Sequence, residues 1–178
     1  KGPDFPTGGL VVNKDDLLKI YETGTGKLRV RGKVETVKLK GGRQQLVITE
    51  IPYTMIGANI GKFLNDIATL VENKKTTDIV DISNQSSKEG IRIVLDLKRD
   101  ADVENLTNML YKKTKLEDTF GVNMLAVADG RPETLSLKQV IEYHVDFVFD
   151  VTTRKYTTLL NKEQEKKQKT AVAVAYEP

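Results

Sequence analysis

The sequence contains no cysteine and no tryptophan, and His144 is its single histidine. Without cysteine the chain forms no disulfide bond, carries no thiolate nucleophile and offers no sulfur ligand to a metal ion. A lone histidine does not assemble a multi-histidine metal site, and its place inside a predicted helix is more typical of packing than of acid–base catalysis. We therefore expect no catalytic residue and no metal ligand in this chain.

Long apolar runs are also missing. No stretch approaches the roughly 20 apolar residues that a membrane-spanning helix needs, and the first residues lack the apolar core of a secretory signal. With 39% hydrophobic and 30% charged residues in 178 positions, the composition is typical of one globular domain with an appendage. We expect a cytoplasmic protein that does not bind membranes. The first residue is Lys1 rather than Met, which favours a piece of a longer protein.

Positive charge is concentrated in one short segment. The formal net charge of the chain is +3, yet residues 27–43 hold seven cations and one anion, which gives this segment alone a charge of +6. The rest of the chain therefore sums to −3. The seven cations are Lys27, Arg29, Arg31, Lys33, Lys38, Lys40 and Arg43. We expect a polyanion to bind at this segment if it binds anywhere.

The basic segment has the alternating pattern of a half-buried strand. Leu28, Val30 and Val34 occupy alternate positions, and the residues between them are mostly cations. Residues two apart on a strand are about 6.7 Å apart, close to twice the spacing of about 3.4 Å between charges along one strand of duplex DNA. Two interpretations stay open at this point: a basic face that only prevents edge-to-edge aggregation, and a surface that binds a polyanion.

Hydrophobic periodicity predicts an α+β fold. A strand over residues 27–40, a turn at 41–42 and a strand over 43–51 form an N-terminal hairpin. From residue 43 to 128 the predicted order is strand, helix, strand, strand, helix, strand, which is the ferredoxin-like split β-α-β-β-α-β arrangement. The last of these strands covers residues 120–128.

One long helix follows this predicted core. Apolar residues at a spacing of three and four predict it from about residue 136 to 169, with a length of about 50 Å. A helix of this length is expected to project into solvent or to pack on another chain. The predicted organisation is an irregular lead-in with a short helix (1–26), an α+β domain (27–135), the long helix (136–170) and an unassigned tail (171–178).

Familiar motifs for phosphate or base binding are absent. Gly26-Lys27 and Gly61-Lys62 resemble the end of a Walker loop, but each lacks the upstream Gly and the following Ser or Thr. No Rossmann glycine pattern occurs. The predicted strand over residues 91–98 carries no aromatic residue for base stacking, which argues against an RNA-recognition module.

Five blocks of sequence point to a known family. They are residues 2–9 (GPDFPTGG), 21–27 (YETGTGK), 48–53 (ITEIPY), 89–94 with 97–101 (EGIRIV and LKRDA) and 119–126 (TFGVNMLA). In order and spacing they resemble the A subunit of bacterial type IIA topoisomerases, namely DNA gyrase and its paralogue topoisomerase IV. The resemblance covers about residues 2–160 and corresponds to the tower domain and the start of the long helix that leads toward the coiled coil.

The resemblance implies a noncatalytic fragment. In the family, a tyrosine in a winged-helix region that precedes residues 2–4 bonds covalently to DNA, and a neighbouring arginine supports it. None of the six tyrosines here follows an arginine, so we expect this portion to be inactive alone. The resemblance further implies magnesium and ATP on the partner B subunit, an A-subunit homodimer in the full-length protein, and ATP-dependent strand passage by the holoenzyme.

For this chain, the tower resemblance implies contact with the phosphates of the gate-segment duplex, without regard to base sequence. Thr25 stands where the family often has arginine, and residues 152–156 are poorer in arginine, which removes some phosphate contacts. Two alternatives stay open: a structural scaffold module with no DNA binding of its own, and an RNA-binding or ligand-binding ferredoxin-like module. The predicted DNA-binding residues are Lys27, Arg29, Arg31, Lys33 and Arg43.

Overall fold

The structure, a computed structural model, describes residues 2–176 and divides into two compact units. One unit runs to Ile20 and resumes over Thr25–Asn123, and the other comprises Tyr21–Gly24 and the chain from Met124 onward. Residues 2–176 contain nine strands and four α-helices, so the predicted α+β class is confirmed. In chain order they are β1 (Leu10–Val11), α1 (Leu17–Thr23), β2 (Thr25–Arg31), β3 (Lys33–Lys38), β4 (Gln44–Glu50), α2 (Ala58–Glu72), β5 (Ile79–Asn84), β6 (Ile93–Leu97), α3 (Val103–Lys113), β7 (Glu117–Asn123), β8 (Leu125–Ala128), β9 (Arg131–Thr134) and α4 (Leu137–Ala175).

The larger core is built on a four-stranded antiparallel sheet in the order β3-β4-β6-β5. Helix α2 supplies Phe63 and Ile67 to this core, and α3 supplies Leu106 and Leu110. Residues four apart lie on the same side of a helix, so each helix presents one apolar stripe to the sheet. Strands β4 and β6 contribute the alternate residues Leu46, Ile48, Ile93, Leu95 and Leu97.

Three strands of the predicted ferredoxin-like core take their expected places, because β4, β6 and β5 are adjacent in that order. The fourth strand of the predicted sheet, residues 120–128, should lie beside β4, but β3 occupies that position. The Gly41–Gly42 turn folds β3 directly back onto β4, and a local hairpin of this kind loses less loop entropy than pairing with a distant strand. The prediction that residues 120–128 complete this sheet is therefore wrong.

Gly32 divides the strand predicted over residues 27–40. Strand β2, before it, pairs with β1 and β7 in a separate three-stranded sheet, whereas β3, after it, pairs with β4. The Gly32 N–H donates to the Leu116 carbonyl at 2.7 Å, and a Cβ at Gly32 would lie 2.7 Å from the Glu50 carbonyl oxygen. At Gly32 the chain crosses from one sheet to the other, so close to Leu116 and Glu50 that no side chain fits there. The single predicted strand is therefore two strands in two sheets.

The strand predicted over residues 120–128 is likewise divided. Strand β7 ends at Asn123, and the Met124 N–H donates to the Gly24 carbonyl at 2.8 Å. Strand β8 then pairs with β9 through a turn at Asp129 and Gly130, both with positive φ. The backbone thus changes its hydrogen-bonding partner at Met124, which the apolar pattern does not reveal.

Helix α4 contains 39 residues, about 58 Å at 1.5 Å per residue. It begins with a capping box in which the Gln139 N–H donates to Ser136 Oγ at 3.1 Å and the Ser136 N–H donates to Gln139 Oε1 at 2.8 Å. The predicted start is confirmed, but the predicted end is too early. Residues 171–175 are helical because their alanines favour helix, and residues 177–178 of the unassigned tail lie outside the described residues.

The side chains of α4 are largely exposed within the described chain, including the apolar Ile141, Val145 and Phe149. His144 is exposed on the same helix, so its interpretation as a packing residue is wrong. No helix within residues 2–176 combines the length and apolar character that crossing a membrane requires.

Candidate nucleic-acid interface

Strand β2 directs a row of cations to one face of the three-stranded sheet. The row consists of three of the predicted DNA-binding residues, Lys27, Arg29 and Arg31. Leu28 and Val30 between them are each 1% exposed and belong to the core of this sheet. Since strand side chains alternate between faces, burial of these two residues turns the cations outward. The alternation stops at Gly32, so Lys33 lies in the other sheet and does not continue this face.

A carboxylate on β7 stands across from the two arginines of β2. Glu117 is the register partner of Arg31, and its Oε2 accepts from Arg31 Nε at 2.7 Å. Arg31 Nη2 lies 2.5 Å from the same oxygen, and Arg29 Nη1 lies 3.7 Å from Glu117 Oε1. The Glu117 side chain is only 17% exposed, so water screens its charge weakly. It therefore offsets part of the positive charge that both arginines present.

Arg31 also packs on an aromatic ring. Its guanidinium carbon lies 4.3 Å from the centroid of the Tyr111 ring, and the Tyr111 hydroxyl donates to the Gly32 carbonyl at 3.0 Å. Burial raises the pKa of Tyr111, Arg31 opposes this rise, and the Glu117 carboxylate adds to it. The hydroxyl consequently remains a donor at neutral pH. Arg31, Tyr111 and Glu117 thus form one cluster around the passage of the chain at Gly32.

Lys33 lies at the start of β3 between two carboxylates. Its Nζ is 3.3 Å from Glu35 Oε1 and 4.0 Å from Glu50 Oε1. Glu50 has a further role, because its Oε2 accepts from the Gly9 N–H at 2.6 Å. Exposed pairs of this kind contribute only about 0–1 kcal/mol to stability. These two ion pairs mean that the positive charge of Lys33 is already partly offset by Glu35 and Glu50.

The other four cations of the segment form no ion pair within residues 2–176; they are Lys27, Lys38, Lys40 and Arg43. Lys27 stands opposite Gly121, which has no side chain to cover it. The remaining three lie at the end of the β3–β4 hairpin, where all side chains are exposed. Arg43 was predicted as a DNA-binding residue, whereas Lys38 and Lys40 were not among the predicted residues.

Sequence reasoning missed the carboxylates that surround the basic segment. Glu117 lies 86 positions from Arg31 along the chain, and the sequence marks it only as half of an acidic pair with Asp118. An acidic residue at the start of a strand is a signal for cross-strand pairing, but it does not say which strand becomes the neighbour. Among the described residues, His, Cys, Asp and Glu form no group of three or more that suits a metal ion. The interface is a charged surface suited to electrostatic binding of an anion.

Comparison with known proteins extends over almost the whole chain. The family of the A subunits of DNA gyrase and topoisomerase IV matches residues 1–176. The DNA gyrase A subunit of Clostridium acetobutylicum is 44% identical over 155 residues, which are 87% of this chain and 18% of that protein. That of Mycobacterium tuberculosis strain H37Rv is 46% identical over 167 residues, 93% of this chain and 20% of that protein. The DNA topoisomerase 4 A subunit of Bacillus subtilis is 37% identical over 166 residues, again 93% and 20%.

This chain spans about a fifth of the length of the relatives it matches. The family match covers both the basic segment and the long helix α4. Relatives of both kinds, gyrase and topoisomerase IV, align with it, which agrees with the resemblance carried by the five sequence blocks. The chain belongs to the family of DNA gyrase and topoisomerase IV A subunits.

Proposed function

We propose that this chain is a noncatalytic, tower-like portion of a type IIA topoisomerase A subunit that grips the gate-segment duplex through its phosphates. The supporting observation is the segment of residues 27–43, whose seven cations outnumber its single anion and, apart from the half-buried Arg31, are exposed. Contacts with phosphates carry no base information, which suits an enzyme that acts on DNA of many sequences. The residues predicted from the sequence to make these contacts are Lys27, Arg29, Arg31, Lys33 and Arg43.

In the complete enzyme, this grip would serve strand passage driven by ATP. The catalytic tyrosine lies elsewhere in the same polypeptide, its homodimer partner completes the gate, and the B subunit supplies magnesium and ATP. The residues that the structure describes contain no cluster of three or more His, Cys, Asp or Glu side chains that could hold a metal ion, and no step assigned to this chain passes through magnesium. Its own contribution is to hold positive charge on rigid strands and thereby orient the duplex. The proposed location is the cytoplasm.

A salt titration tests this function. The fluorescence anisotropy of a labelled duplex of about 30 base pairs is measured against the concentration of this chain at several salt concentrations. We expect the logarithm of the affinity to fall with the logarithm of salt, with a slope of about 0.9 for each phosphate contacted. Unrelated duplex sequences should bind alike. Absence of binding at about 50 mM salt would contradict a grip that this chain provides itself.

A second candidate is a scaffold function without DNA binding. The observation that favours it is the internal pairing of Arg29 and Arg31 with Glu117, and of Lys33 with Glu35 and Glu50. The scaffold predicts no salt-dependent binding in the same titration. Stronger binding of a single-stranded RNA than of the duplex would instead favour an RNA-binding module.

A further inference from the structure

The cations of the basic segment form two groups with different surroundings. Arg29, Arg31 and Lys33 are the paired set, since each has a carboxylate oxygen within 4.0 Å. We call Lys38, Lys40 and Arg43 the tip set, because they lie at the end of the β3–β4 hairpin. The tip set forms no ion pair in the part of the chain that the structure describes. Lys27, also without an ion pair there, stands on β2 beside the paired arginines.

The hairpin end is a closed turn surrounded by open space. The Leu39 N–H donates to the Arg43 carbonyl at 2.8 Å and closes the loop. Gly41 and Gly42 turn the chain with φ values of 80° and 76°, a region that suits glycine. A Cβ at either glycine would meet no described atom within 4 Å. A rigid partner can therefore approach the turn without displacing other side chains.

The part of the hairpin nearest the turn is anchored and carries no acidic residue of its own. Neither Asp nor Glu occurs anywhere from Thr36 to Thr49. On the neighbouring strand β6, Asp96 is the register partner of Gln45 and accepts from its Nε2 at 2.7 Å. Strand β4 itself is buried at its centre, where it lies between β3 and β6. The tip set thus stands on a strand that the core holds in place.

The paired set and the tip set differ in how strongly they attract a phosphate. A phosphate that approaches Arg31 also approaches the Glu117 carboxylate, and the repulsion offsets part of the attraction. At the tip no carboxylate lies within 4.0 Å of a cation in the described chain, so the attraction of each cation for a phosphate is offset less, and its contact with DNA releases condensed counterions.

We infer that the tip set, rather than the paired set, is the surface that binds the phosphates of duplex DNA. The inference rests on the proposed function and assigns it to one hairpin. A duplex fits better than a single strand, because residues 27–49 contain no aromatic side chain on which unpaired bases stack. The paired set then serves mainly to hold neighbouring strands together within each sheet, β2 with β7 and β3 with β4.

Two triple variants with the same change in net charge test this assignment. The first is K38Q/K40Q/R43Q, which neutralises the tip set. The matched control is K62Q/K88Q/K112Q, three exposed lysines of the same unit that have no ion pair within residues 2–176. Both are measured as the 178-residue chain with a labelled mixed-sequence duplex of about 30 base pairs. Circular dichroism and thermal unfolding verify that each variant keeps its fold.

We expect K38Q/K40Q/R43Q to lower the salt slope by about 2.7, which is about 0.9 for each of three contacts. Its affinity at about 0.1 M salt should fall on the order of 100-fold. The control should keep the slope and lose no more than about twofold in affinity, since its lysines lie away from the duplex.

Three results would overturn the assignment: equal weakening by both variants, an unchanged slope in the tip variant, or tighter binding of a single strand than of the duplex. These results are distinguishable from failure of the proposed function, in which the unsubstituted chain itself shows no salt-dependent binding of DNA. Salt-dependent binding by the unsubstituted chain with an unaffected tip variant would contradict only the assignment to the hairpin.

Discussion

The β2 end and the hairpin end of the basic segment are similarly rich in cations but differ in their neighbours. On β2, Arg29 and Arg31 share the Glu117 carboxylate, and Arg31 also packs on Tyr111. At the hairpin, the tip set meets no carboxylate within 4.0 Å in the described chain. The number of cations in a sequence therefore overstates the charge that a ligand encounters, because sheet pairing brings acidic residues from distant positions.

This difference separates stability from binding. Substitutions near the β2 end should mainly change the free energy of unfolding, whereas substitutions at the tip should mainly change the affinity for DNA. Four variants of the β2 end and its surroundings test the separation.

We expect the largest change in the free energy of unfolding at Gly32, which connects the β2 end of the basic segment to its hairpin end. Gly32→Ala places a Cβ 2.7 Å from the Glu50 carbonyl oxygen and 2.7 Å from a methyl group of Leu116. Because backbone has little freedom to move aside, we expect a loss of about 1–3 kcal/mol in the free energy of unfolding, measured with urea. Gly121→Ala is the matched control, since a Cβ there meets no described atom within 4 Å. Equal losses in the two variants would contradict the tight passage.

Arg31→Ala should have the next largest effect. It removes the ion pair with Glu117 and the contact with the Tyr111 ring, each worth up to about 1 kcal/mol, so we expect a loss of about 1–2 kcal/mol. Lys40→Ala at the tip should stay within about 0.5 kcal/mol of the unsubstituted chain. Thermal and urea unfolding provide the comparison. A tip variant as unstable as Arg31→Ala would erase the proposed distinction between the two ends.

Tyr111→Phe keeps the ring under Arg31 but removes the hydrogen bond to the Gly32 carbonyl. We expect a loss of about 0.5–1.5 kcal/mol at neutral pH. The folded-state pKa of Tyr111 is raised above its ordinary value of 10.0, so its contribution to stability is present below pH 10 and declines as pH rises through the folded-state pKa. The variant should lack this decline. Unfolding curves at about pH 8 to 11 in both proteins measure it, and parallel curves would contradict the cause given.

Glu117→Gln should change stability least, because glutamine retains an acceptor for Arg31 and Arg31 keeps its contact with the Tyr111 ring. We expect a loss below about 1 kcal/mol. It frees Arg29 and Arg31 from a shared negative charge, so the β2 end should come to resemble the tip. The salt slope of DNA binding should rise by about 0.9–1.8, for one or two new contacts. A slope that stays constant would mean that these arginines are out of reach of the duplex.

Local pattern was sufficient to predict much of the fold. The helices α2, α3 and α4, the β3–β4 hairpin and the adjacency of β4, β6 and β5 all follow from periodicity and turn residues. Apolar alternation did not reveal that Gly32 and Met124 are points where a strand changes its partner. At each point the decisive groups lie elsewhere: Leu116 and Glu50 around Gly32, and the Gly24 carbonyl at Met124.

For the candidate site, the sequence located the positive charge but not the surroundings of each cation. The basic segment itself is visible in the sequence, and Arg43, one of the predicted contact residues, lies in the exposed tip. Its role in binding stays a prediction. The sequence did not distinguish it from Arg29 and Arg31, because Glu117 reaches them only through the β2–β7 register.

By itself, the amino-acid sequence determined the family, the α+β class and the location of the positive charge. These properties are encoded in residue identity and short-range spacing, which folding does not alter. Only the tertiary structure decided that the basic segment belongs to two sheets and that three of its seven cations are ion-paired. The physical reason is that an ion pair depends on which atoms come within a few ångströms, and in this chain the register of antiparallel strands sets that distance for residues as far apart as Arg31 and Glu117.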